Sequence, residues 1–167
     1  RFLWEYKAQD RLFTTIQEIS VVPDWKVKDF LFNVLGALLS KLFCIQPDAI
    51  KKNLLFQEIA ALCKVFCKNS FQVQGNLFCI GAGYGKGEEV HVPQIPETVL
   101  FYYFENFVKE IKKLGFSGVL LHFDDMELIS RRYPQSIRYL LEDIRNILLL
   151  PDVYYIFIGH PGFFNEI

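Results

Sequence analysis

The chain has 167 residues, a formal net charge of −1, 51% hydrophobic and 16% aromatic residues. That is one domain's length, with enough apolar surface for a packed core and too much for disorder. The charge gives no footprint for strong nucleic-acid binding, and no apolar run reaches the roughly 18–20 residues of a membrane span.

Residues 1–9 look like the end of a helix, and 11–20, Arg-Leu-Phe-Thr-Thr-Ile-Gln-Glu-Ile-Ser, are rich in strand formers. Pro23 and Asp24 punctuate the chain, and Asp24 is a helix-start signal. Residues 26–43 carry Val27, Phe30, Leu31, Val34, Leu35, Leu38, Leu39 and Leu42 at helical spacing. Pro47-Asp48 opens a second helix, to about 68, with Ile50, Leu54, Leu55, Ile59, Leu62 and Phe66 on one side. Cys63 and Cys67, one turn apart in this apolar run, read as reduced core thiols. None of the four cysteines forms a C-x2-C pair. An intracellular, cytoplasmic protein is expected, and the start at Arg1 rather than Met suggests an internal fragment.

Residues 75–93 hold two short strand-like runs about Gly81-Ala-Gly-Tyr-Gly-Lys-Gly, which predicts an inserted β-hairpin. A helix is predicted over about 97–114, stopped by Gly115, with Lys109, Lys112 and Lys113 complementing its dipole. Gly118-Val-Leu-Leu-His-Phe-Asp124 reads as a buried strand, with His122 a hydrogen-bonded core residue. A helix over about 134–149 follows, with Ile137, Leu140, Leu141, Ile144 and Leu148 on its apolar face. Pro151-Asp152 breaks it, and 153–159 form the last strand. Strands alternating with helices predict an α/β fold with a mostly parallel sheet flanked by helices.

Two segments carry candidate chemistry. The apolar run 118–123 ends in Asp124-Asp125. A carboxylate at the C-terminal tip of a buried parallel strand stands where open α/β sheets bind ligands. Asp124 is placed to hold a hydrated Mg²⁺, and Asp125 to orient a water for attack on a phosphate. The second segment is Gly159-His160-Pro161-Gly162. His160 stands at the tip of the strand expected beside the acidic one, where it would meet a γ-phosphate or the attacking water.

Together these segments resemble the AAA+ and STAND ATPases of the P-loop class. Gly118–Asp125 resembles their Walker B strand. Residues 145–167 look like their helix, sensor-1 strand and following loop, and 11–20 like the strand after the phosphate-loop helix. The resemblance implies a three-layer P-loop NTPase fold, ATP and Mg²⁺ as cofactors, and a nucleotide-dependent switch. It implies Asp124 as the metal ligand, with Asp125 and His160 at the catalytic-acid and sensor-1 positions. Those positions usually hold Glu and Asn, Thr or Ser, so the departures fit a slow switch better than fast hydrolysis. The phosphate loop G-x-x-x-x-G-K-[ST] has no match: Ile80 stands five residues before Gly85, and Gly87 follows Lys86. Family order would put that loop before residue 1.

In the family's strand order, 5-1-4-3-2, the three strands here would be 2, 3 and 4. The strand carrying the phosphate loop would pair with 153–159; without it that edge would be bare, apolar and aromatic, to be covered either by a homodimer or by the chain's own ends. Other expected partners are further domains of the parent protein, with nucleic acid reached only through a missing domain and no membrane. A non-catalytic α/β protein-interaction module is the rival expectation. A replication-initiator relative is a third.

Overall fold

The computed structural model describes residues 11–16, 18–20, 25–70, 95–124 and 134–159. The expected helix end at 1–9, the helix start at Asp24 and the hairpin at 75–93 lie outside these residues. Two short strands open the described chain, β1 (Leu12–Thr14) and β2 (Ile19–Ser20). Helices α1 (Val27–Ile45), α2 (Pro47–Lys52), α3 (Leu54–Ser70) and α4 (Glu97–Lys113) follow. Strand β3 (Gly118–Asp124), helices α5 (Pro134–Asp143) and α6 (Arg145–Leu148), and strand β4 (Val153–Phe157) complete it.

The sheet is parallel throughout, with β3 at its centre. One edge of β3 pairs with β1 and then β2, and the other with β4 over Val119↔Val153 to Phe123↔Phe157. This is the adjacency expected for the acidic strand and the last strand. The single strand expected over 11–20 is interrupted. Its register runs Thr14↔Leu120 and then Ile19↔Phe123, so between these pairings the edge strand takes two more residues than β3. Two extra residues bulge from the edge strand, and Thr15 within the bulge is fully buried.

Paired residues of parallel strands share a face. Phe13, Ile19, Val119, Leu121, Phe123 and Val153 therefore lie on one side, and all are buried in the main hydrophobic cluster. The same cluster takes residues from α1, α3, α4, α5 and α6. Phe123 stacks on Phe30 of α1 with centroids 5.2 Å apart, and Phe13 meets Phe107 of α4 at 6.2 Å. The Tyr155 hydroxyl donates to the Ile147 carbonyl of α6 at 2.7 Å. Right-handed crossovers explain this one-sided placement, because both move the chain in the same direction across the sheet. The described helices form one side of the sheet, with α3 packed on α1 and α4. On the other face, Leu120 and His122 are buried but stand outside that cluster.

Local signals explain the helix limits. In α1 the Lys26 backbone N–H donates to Asp29 Oδ2 at 3.0 Å, satisfying a donor at the helix start. Leu31, Val34, Leu35, Leu38 and Leu42 are buried along it. Pro47 sits in the first turn of α2, where its missing N–H costs nothing. The one helix expected from 48 to 68 is two. Asn53, in extended conformation, ends α2 and caps α3, its Oδ1 accepting the Leu55 N–H at 2.9 Å. Its Nδ2 donates to Glu110 Oε2 of α4 at 2.7 Å. The break resets the buried face: Leu54 is 69% exposed, and Phe56, Ile59 and Cys63 are buried. Cys44 is exposed.

Helix α4 buries Leu100, Phe104, Phe107, Val108 and Ile111, a stripe at 3–4-residue spacing. Gly115, at φ 95°, ends it as the sequence predicts. The Gly115 N–H donates to Lys112 O and the Phe116 N–H to Ile111 O, a Schellman closure. The helix expected over 134–149 is interrupted at Ile144 and resumes as α6, with Leu140, Ile144 and Ile147 buried.

Candidate functional site

Parallel strands end at a common rim, and the register puts three chain ends there. Asp124 is the last residue of β3 and is half-buried. Ser20, the last residue of β2, is in register with it. On the other side the Ile158 N–H donates to Phe123 O at 2.8 Å, which carries the end of β4 to the same level. The sequence placed Asp124 at this tip, and the structure puts it there. Asp125 and His160 lie outside the described residues.

Sequence reasoning missed Ser20. Nothing in the run 11–20 marks Ser20 as Asp124's neighbour, because that pairing depends on the two-residue shift of register between β1 and β2. A carboxylate and a hydroxyl are hard oxygen donors, the class Mg²⁺ takes. Among the described residues no three His, Cys, Asp or Glu side chains converge. Mg²⁺ retains several waters and is held by one or two carboxylates, so Asp124 suits that requirement without such a cluster.

His122 shares a face with Asp124 one pleat back along β3. It is 8% exposed, and its Nε2 has no hydrogen-bond partner among the described residues. The expected hydrogen-bonded core histidine is therefore buried but unsatisfied at this nitrogen. Burial pushes its pKa down, against an opposing pull from Glu18 on the bulge.

A cleft of about 120 Å³ lies at the opposite end of the strands, beside Leu150, Pro151 and Asp152. Its charges pair among themselves, Lys109 with Glu105 and Lys112 with Asp152. Both pairs are exposed and contribute little. The cleft takes no part in the rim around Asp124.

Among the described residues, no helix is long and apolar enough to cross a membrane. Comparison with protein-family models, curated proteins and solved structures gives no match.

Proposed function

We propose that the chain is the Mg²⁺-binding and sensor part of a nucleotide-dependent switch ATPase of the AAA+/STAND kind. One observation carries this reading: Asp124 ends the central strand of a parallel sheet, with the β4 terminus beside it at the same rim. Bound Mg²⁺ would supply charge neutralisation for the phosphates. Asp124 would hold its hydrated shell. Asp125 would orient a water, and His160 would hydrogen-bond a phosphate oxygen. Differential contact of ATP with these groups would bias the arrangement of neighbouring domains.

The test is Asp124→Asn in the intact protein, with ATP affinity measured with and without Mg²⁺. The expected result is a Mg²⁺-dependent affinity lowered about tenfold or more, equivalent to 1.4 kcal/mol. Metal-free binding should be unchanged. Equal Mg²⁺ dependence in both proteins would remove Asp124 from the site. The 167-residue chain, with no G-x-x-x-x-G-K-[ST] run, should bind ATP weakly on its own.

A second reading, a non-catalytic α/β interaction module, draws support from the outer side of β4, where Tyr154 is 51% exposed and Ile158 44%.

A further inference from the structure

One side of β3 carries Leu120, His122 and Asp124, because alternate residues of a strand share a face. The register sets Tyr154 beside Leu120, Ile156 beside His122 and Ser20 beside Asp124. In its own row and one pleat back, His122 therefore has the apolar neighbours Ile156 and Leu120. The next row forward, about 6.6 Å along the strand, holds Asp124 and Ser20. The rim is thus the polar side of this imidazole's surroundings. Glu18, between β1 and β2, pulls on the ring by its charge but makes no hydrogen bond to Nε2.

Buried polar nitrogens are ordinarily hydrogen-bonded. Nε2 of His122 has no partner among the described residues, although the side chain is 8% exposed. A nitrogen in that state marks a place for a bound water or ion. Burial favours the neutral ring, which carries one acceptor nitrogen. Water held by a cation turns its O–H groups outward, and the metal's charge makes them strong donors. Direct ligation by imidazole would not suit Mg²⁺, which takes oxygen ligands and keeps several waters. A contact in the outer shell meets both needs: the cation keeps its water, and Nε2 gains a partner.

We propose that His122 is a positioning residue of the Asp124 site, its Nε2 accepting a hydrogen bond from water in the hydration shell of the Mg²⁺ that Asp124 holds. The inference rests on the nucleotide reading and adds to it a residue that this reading does not use.

ATP affinity of the intact protein, measured by calorimetry with and without Mg²⁺ at about pH 7.5, tests it in five forms. These are the wild type, His122→Leu, His122→Gln, Asp124→Asn and the His122→Leu/Asp124→Asn double variant. His122→Leu should lower the Mg²⁺-dependent affinity about tenfold, the scale on which outer-shell partners act. Its metal-free ATP affinity should be unchanged. Because Nε2 makes no bond in the fold, its Tm at this pH should match or exceed that of the wild type. Gln offers an amide oxygen as acceptor at similar reach and should recover most of the loss. In the double variant the leucine should add little to the effect of Asp124→Asn, since both act on one hydrated ion. In the wild type, the imidazole ¹⁵N resonance of Nε2 should move with Mg²⁺-ATP and stay in place with metal-free ATP. Equal Mg²⁺ dependence in wild type and His122→Leu, with Asp124→Asn defective, overturns the proposal and leaves Asp124 in the site. Equal dependence in all five forms overturns the nucleotide reading, and this proposal with it. A metal-free loss in His122→Leu as large as the Mg²⁺-dependent one would make the effect structural and overturn the proposal, as would a Gln variant no better than Leu.

Discussion

Gly118 opens β3 where two backbones come close. A Cβ at this position would clash with the Asp152 carbonyl oxygen and would meet its carbon and Tyr154 Cε2 at 3.2 Å each. The Tyr154 ring can swing aside; the carbonyl cannot, because it accepts the Val119 N–H at 2.8 Å. Moving it sacrifices a hydrogen bond worth about 0.5–1.5 kcal/mol net. Overpacking adds about 1–3 kcal/mol. Alanine recovers about 0.4–1 kcal/mol by restricting the unfolded chain. Together these terms span about 0.5–4 kcal/mol, so Gly118→Ala is expected to destabilise by about 2 kcal/mol. For a chain of this size that lowers Tm by roughly 4–8 °C. Paired thermal and urea denaturation of the wild type and variant measures it. A Tyr154→Ala change in the same background should restore little, because the backbone clash remains. An unchanged or raised Tm would refute the close approach, and with it the seating of β4 against the start of β3.

Two further predictions concern local features. Asn53→Ala removes both the α3 cap and the link to Glu110, and should cost about 1–2 kcal/mol in urea titration, more than an exposed cap alone. A loss within error would mean that α2 and α3 run on as one helix. The third prediction is pH dependence at His122. Its folded pKa lies below the unfolded 6.5, so the unfolded chain binds the proton first as pH falls. His122 therefore costs nothing above that pH and removes stability progressively down to its lowered folded value. His122→Leu should show a shallower loss than wild type between about pH 7 and 5.5, the window in which an imidazole titrates; His91 and His160 are common to both proteins and cancel in the comparison. Equal slopes would mean that the imidazole titrates as freely in the fold as in the unfolded chain.

Much of the fold could be read from local pattern, where one element decides its own fate. The stripe from Leu100 to Ile111 and the stop at Gly115 gave α4 to within a residue. The apolar run 118–123 marked a strand buried on both faces, and that is where β3 lies. Features set by a partner were not readable. Asn53 breaks a continuous apolar spacing because Leu55 and Glu110 both offer it hydrogen bonds. Between β1 and β2 a run rich in strand formers is interrupted, because the register against β3 shifts by two. The same holds at the candidate site. A strand's end locates Asp124, but only the shifted register locates Ser20 beside it.

The sheet's connectivity also has a mechanical consequence. β1 and β4 lie on opposite sides of β3 and all three run the same way. A load pulling Leu12 backward and Phe157 forward would drag each strand lengthwise past its neighbour. The inter-strand bonds would then resist as a set instead of opening one after another. Along that axis the molecule should be far harder to pull apart than its helical connections.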